Sequence, residues 1–266
     1  MKRLQWVLVL ALLAAGMSLA LPDWSTPALP QTAHAVSPQE PPKPLTPPVK
    51  LRIRAAEVKA PAEALLDPAD AAWDKAAPTR VLLNRTPRIY QTEPAVDRPV
   101  PSLEVRVARS GDKTVFRLQW SDATSNAPAA PEKKVAEGGD PAKLYKRPTR
   151  ETNAFPDAAA VMVPEKWTGP AFPALLMGDR STPVRLYYWN ASRGAEELKA
   201  SGRATPEASG RTLTHRARYA DGKWTLTLET PEMPDGYPLA FAVWDGQFGD
   251  RDGLKFFSIW YVLTRD

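Results

Sequence analysis

A chain of 266 residues, 43% of them apolar and with a formal charge of +5, is long enough to pack one or two domains around a real core. It has no cysteine and only two histidines, His34 and His215. That excludes disulfides, thiolate-held zinc or iron–sulfur centres, c-type haem attachment and multi-histidine metal sites. Basic residues are dispersed, which leaves nucleic-acid binding unsupported.

Residues 1–35 read as a signal peptide or N-terminal anchor. Lys2 and Arg3 precede an apolar run from residue 6 to 21, and Ala33-His34-Ala35 offers a small-x-small cleavage site, with 18–20 as a second. The expected location is periplasmic, by a Sec-type signal, and the protein is not an integral membrane protein unless the leader is retained. Residues 36–50 hold six prolines and predict an extended linker. Residues 51–266 form the remaining domain, in which short alternating runs predict strands at 51–54, 103–107, 115–120, 159–163, 184–189, 215–219, 223–228 and 239–244. Asp112-Lys113 and Asp221-Gly222 read as hairpin turns. Residues 61–76 hold one or two helical turns, with Asp67 as cap and Pro68 at the first helical position. Residues 126–150, rich in Pro, Lys and Gly, read as a long loop. The fold class is all-β: an antiparallel β-sandwich with few short helices and long loops.

The last predicted strand, 255–263, carries an anomaly. Period-two alternation puts Lys255, Phe257, Ile259, Tyr261 and Leu263 on one face, four of them large and apolar. Lys255 therefore enters on the core side, where a charged amine is costly and its pKa falls.

No catalytic constellation emerges. His215 lies in a strand pattern beside Arg216 and Arg218 and reads as structural. Asp245, Asp250 and Asp252 sit in a Gly-containing turn and read as turn formers, or less readily as a calcium loop. Seven tryptophans lie beyond the leader and suit core packing, a sugar platform or a cofactor slot. Met177 precedes Gly178 in a loop, and Met162 lies in a strand; methionine in such places is usually packing filler. A thioether and a neutral amine are nonetheless both competent iron ligands.

Four segments resemble a known family: Asp70 to Asp74; residues 118–126 with Trp120, Asp122 and Asn126; 155–164 with 176–178 and Tyr188-Trp189; and Phe241 to Gly246 with 251–255 and Trp260-Tyr261. The family is the haem b-binding gamma subunit of type II DMSO-reductase-family molybdoenzymes, the ethylbenzene dehydrogenase-related domain. The resemblance implies a β-sandwich similar to carbohydrate-binding modules. It also implies one b-type haem with Met177 and Lys255 as axial ligands of the iron. Met162 stands where the family pattern has Gln and is the fallback thioether. The implied role is non-catalytic electron transfer. The implied partners are an Fe–S beta subunit, a molybdopterin-containing alpha subunit, and a soluble cytochrome or quinone-linked partner. The alternatives are a carbohydrate-binding module and a free-standing haem carrier or sensor.

Overall fold

Alternating apolar residues fold the described part of this chain into one long β-sheet that doubles back over itself. The computed structural model describes residues 51–86, 102–128, 155–169, 171–203, 205–250 and 252–265. The predicted leader, the linker and most of the predicted 126–150 loop lie outside them.

The strands are β1 Arg52–Glu57, β2 Thr79–Leu82, β3 Asn84–Arg85, β4 Ser102–Ser110, β5 Lys113–Ser121, β6 Ala158–Pro164 and β7 Val184–Asn190. They continue with β8 Gly194–Ala200, β9 Glu207–Thr212, β10 His215–Ala220, β11 Lys223–Pro231, β12 Pro238–Trp244, β13 Phe256–Phe257 and β14 Tyr261–Arg265. Hydrogen bonding links them in the order β10-β11-β5-β4-β1-β14-β12-β6-β7-β8-β9; β2 is added on β4, β13 on β12, and β3 on β13. Pairing is antiparallel except at β1, which runs parallel to both β4 and β14, so the expected antiparallel sheet has a parallel seam.

The two arms on either side of that seam face each other. Phe116 of β5 meets Phe241 of β12 edge-on at 6.5 Å, and Trp120 of β5 meets Trp189 of β7 at 6.1 Å. Neither pair shares a ladder, so these contacts cross the gap between two layers. That makes the molecule a β-sandwich. Its main core takes Val105, Phe116, Leu118 and Leu226 from one arm and Val161, Trp189, Leu239 and Phe241 from the other. Each such side chain contributes roughly 1.5–3 kcal/mol through burial.

Turn chemistry follows the sequence in part. Asp221 and Gly222 both have positive φ, 52° and 67°, as a two-residue primed turn between β10 and β11 requires. The other hairpin turns at Gly111-Asp112, one residue earlier than expected, because Gly111 takes the left-handed position at φ 59°. The helical segment also differs. Helix α1 is Ala62–Leu65, and a 3-10 turn spans Ala71–Lys75. The cap is Asp70, whose carboxylate accepts from the Ala72 amide at 2.8 Å; Asp67 instead closes a turn onto Ala69. Strand β8, rich in Glu, Lys and Leu, and the wholly exposed β9 carried no alternation to announce them.

The predicted strand 255–263 is two strands, β13 and β14, separated by residues 258–260. Ala242 pairs with Phe257, and Leu239 with Tyr261, so the last segment carries one more residue than β12 over this stretch. That is a bulge, and it reverses which face each residue points to. Tyr261 and Leu263 enter the main core as expected, but so does Phe256, while Ile259 is 49% exposed. Lys255 and Phe257 therefore do not share the face of Tyr261. Buried Ser258 repairs the interrupted ladder: its amide donates to the Phe241 carbonyl, and its hydroxyl accepts from the Phe241 amide, both at 2.9 Å.

Candidate functional site

Strands β6 and β12 are buried along their whole length, so both of their faces are covered. Their inner residues feed the sandwich core. Their outer residues are small: Ala158 and Ala160 on β6, Ala240 and Ala242 on β12. In register, Ala160 stands beside Ala242, Ala158 beside Trp244, and Met162 beside Ala240. This makes an alanine floor. Tyr188, Trp244 and Phe257 pack around one end of it; Met162, Leu186, Leu175 and Trp260 pack around the other. A cleft opens on this face, and its lining includes Ala160, Met162, Leu175, Ala242, Lys255 and Phe257.

Lys255 reaches the cleft because of the bulge. Its carbonyl is held by the Thr86 amide at 2.9 Å and the Thr86 hydroxyl at 3.0 Å, which fixes the residue at the entry to β13. Its Nζ lies 5.1 Å from the centre of the Trp244 ring. Burial, aided by the charge of Arg203 and partly opposed by Asp252, lowers its pKa to about 8. An amine so placed offers its lone pair far more readily than a solvated lysine.

Met177 lies on the loop between β6 and β7, and its backbone is unusual. It has φ 74°, the left-handed region that a side chain with Cβ disfavours, and Gly178 follows at φ 70°. Neighbouring bonds hold this conformation. The Gly202 amide donates to the Met177 carbonyl at 3.0 Å, and the Gly178 amide to the Ala174 carbonyl at 2.8 Å. A Cβ on Gly178 would stand 2.5 Å from the Thr182 carbonyl, so only glycine fits. The Asp179 carboxylate then accepts from the amides and hydroxyls of both Ser181 and Thr182, which hold its pKa down at about 2. The half-buried Met177 packs against the cluster that contains Met162, Leu186, Ala240 and Trp260. Trp260, Phe172 and Trp167 stack face to face beside it, at 6.1 and 5.6 Å.

Met162 and Lys255 thus line one cleft, and Met177 packs on the cluster at its end. Met233 is buried in the main core instead. Trp120, Trp189 and Trp224 also lie in that core, so the tryptophans divide between packing and the borders of the cleft. The alanine floor of the cleft carries no large side chain, and a thioether and a lowered-pKa amine are donors of the kind that haem iron accepts.

The acidic turn does not act as a unit. Buried Asp250 pairs with Arg85 at 2.8 Å. Asp245 joins Asp122 and Asp157, and one oxygen from each lies within 4.8 Å of the others. Asp157 accepts from the Asn126 amide at 2.6 Å, the Gly246 amide at 2.9 Å and the Trp224 indole at 3.0 Å, while burial pushes its pKa up. Here Gly246 is required, because a Cβ would collide with the Phe155 carbonyl. His215 turns Nδ1 to the Leu213 carbonyl at 3.1 Å, a local structural contact. Reading the residues one by one missed the alanine floor. Its signal was present: small residues alternate at 158 and 160, and again at 240 and 242.

A family model described as ethylbenzene dehydrogenase matches residues 70–208. The chain is 29% identical over 206 residues to a Haloferax mediterranei protein named as a respiratory nitrate reductase heme subunit, covering 73% of this chain and 66% of that one. It is 25% identical over 224 residues to the dimethylsulfide dehydrogenase subunit gamma of Rhodovulum sulfidophilum, covering 75% and 74%. Against the chlorate reductase subunit gamma of Ideonella dechloratans it is 28% identical over 212 residues, covering 74% and 78%. Among solved structures, one described as a carbohydrate-binding protein from Bacteroides uniformis has a TM-score of 0.48 at 10% identity and covers 82% of this chain and 100% of that one.

Proposed function

The chain belongs to the ethylbenzene dehydrogenase family, and from that premise we propose that it is a non-catalytic electron-transfer subunit holding one b-type haem between Met177 and Lys255. When bound, a b-type haem supplies a one-electron ferric–ferrous couple. Met177 would hold it through the thioether and Lys255 through the neutral amine. The relatives named as gamma and haem subunits support the role. Support for the ligand pair comes from the site. A methionine kept in a disfavoured backbone conformation by two backbone hydrogen bonds flanks the same apolar face as a largely buried lysine. Strain of this kind costs of order 1–3 kcal/mol and persists where the surroundings over-determine it, which characterises functional positions. Met162, in an ordinary strand conformation on the cleft wall, is the fallback.

The chain's residues set the properties of the couple. Neither ligand brings negative charge, and a thioether favours the reduced state, so the pair raises the reduction potential. The alanine floor with Trp244, Tyr188 and Phe257 excludes water. Because these side chains belong to a rigid sheet, little has to move when charge changes.

The proposed partners follow from the same reading. An Fe–S beta subunit and a molybdopterin-containing alpha subunit would do the chemistry, while this chain exchanges electrons with a soluble cytochrome or a quinone-linked partner in the periplasm, after export by a Sec-type signal. Among the described residues no helix is long and apolar enough to cross a membrane.

The test is the visible spectrum of the full chain expressed with ample haem. A Soret band and a pyridine haemochrome of b type are expected, and their absence would falsify the proposal. Lys255→Ala and Met177→Leu should each shift the spectrum, while Met162→Leu leaves it unchanged. A shift with Met162→Leu but not with Met177→Leu transfers the ligand role to Met162.

A further inference from the structure

Four large apolar side chains stand exposed among the described residues, and two of them flank the proposed site: Leu176 at 47% and Ile259 at 49%. They come from different segments that the structure ties together. The Trp260 indole donates to the Pro173 carbonyl at 2.9 Å, which fixes the bulge carrying Ile259 against the loop carrying Leu176 and Met177. The stack of Trp260 on Phe172 reinforces this. A third segment joins through the Gly202 amide, which donates to the Met177 carbonyl.

The charges around these two residues are uneven. Lys166 and Arg180, on the loop, and Arg203, on the third segment, are exposed and make no ion pair among the described residues. Lys166 adjoins Trp167, which stacks on Phe172; Arg180 follows the Met177-Gly178 turn; Arg203 adjoins Gly202. The carboxylates here are Glu165, paired with Arg185 and Lys199, Asp179, turned back onto Ser181 and Thr182, and exposed Asp252. Three long exposed cationic side chains therefore outweigh the two aspartates, while Glu165 is offset by its own two cationic partners. A small apolar centre with a rim of one sign is the form that weak, electrostatically steered redox encounters take.

We propose that this face, Leu176 and Ile259 ringed by Lys166, Arg180 and Arg203, docks a soluble redox protein whose own redox centre is rimmed by carboxylates. The proposal rests on the reading of Met177 and Lys255 as ligands, because it places electron exchange at their side of the molecule. The step is a bare electron transfer: the reduced protein loses one electron, the acceptor gains it, and no bond or proton moves.

Two inorganic oxidants of opposite charge read the sign of the field where electrons leave. The reduced haem-loaded protein is mixed rapidly with ferricyanide or with tris(phenanthroline)cobalt(III) over a range of ionic strength. With the wild-type protein, the ferricyanide rate constant should fall as salt rises and the cobalt rate constant should increase. In Lys166→Glu/Arg180→Glu at low salt, ferricyanide should slow by about fivefold and the cobalt complex should quicken, with the Soret band unchanged. A ferricyanide rate that rises with salt overturns the proposal in the wild-type protein alone, whatever the variant does. Rates within twofold of wild type in a folded variant overturn it too. A chain without a Soret band overturns the electron-transfer reading and the docking face together, so the two failures are told apart by the spectrum.

Discussion

The two arms of the sandwich share an inner face but treat their outer faces differently. On the first arm, β4 and β5 present Ala108 and Val115 outward, and the chain covers them with its own early segment: Leu65 and Trp73 pack there. Trp73 is fastened by its indole to the Leu65 and Asp67 carbonyls, and Arg106 holds the Trp73 and Ala76 carbonyls at 3.1 and 3.0 Å. The rest of that face is polar, with Gln119 bonded to Thr225 at 3.0 Å. On the second arm the outer face is alanine and aromatic, and its cover is a rigid loop with a cleft beside it. The first arm's outer face has a hollow too, but polar side chains such as Arg80, Glu104, Gln119 and Lys223 line it and it offers no thioether. A covered face with a cleft, a thioether and a desolvated amine has the means to hold a cofactor.

The sharpest way to break this comparison is at the face both arms share. Phe116→Ala removes a fully buried ring between the layers and should cost about 3–5 kcal/mol in a denaturant titration. A cost below about 1 kcal/mol would mean that the layers are not packed through it. Next comes Lys255. Its pKa is about 8 in the fold against 10.5 unfolded, so between those values the unfolded chain binds the extra proton. Stability of the haem-free protein should therefore rise from about pH 8 to about pH 10.5, by at most about 3 kcal/mol. Lys255→Met should flatten that rise; a rise that persists in the variant would show that another group causes it. The smallest effect is expected on the first arm's outer face. Gln119→Ala, losing one part-buried hydrogen bond, should cost about 1 kcal/mol and leave any haem spectrum untouched.

Much of the fold was legible because it rests on period-two burial. The runs at 103–107, 115–120, 159–163, 184–189, 223–228 and 239–244 all lie in strands of the structure. What escaped had no local signal. Strand β9 has no buried residue and exists only because β8 offers it a ladder. Asp70 and Asp67 are equally good caps on paper, and packing of Trp73 selects Asp70. At the site, Lys255 stood out for a reason that was half right. It is taken from water, as the alternation suggested, but on the outer face of the second arm and not in the main core. One extra residue between β13 and β14 makes that difference, and a bulge leaves no mark in an alternating pattern when both faces are apolar.

By itself, then, the sequence determined the all-β class, most strands of the core, the absence of thiolate and multi-histidine chemistry, and the family, because each depends on residue types and their spacing along the chain. The tertiary structure alone decided which face receives Lys255, that Met177 stands in a left-handed conformation held by Gly202 and Ala174, and that alanines from β6 and β12 meet as a floor. Those facts depend on register and on contacts between distant segments, and a shift of one residue in a ladder changes them all.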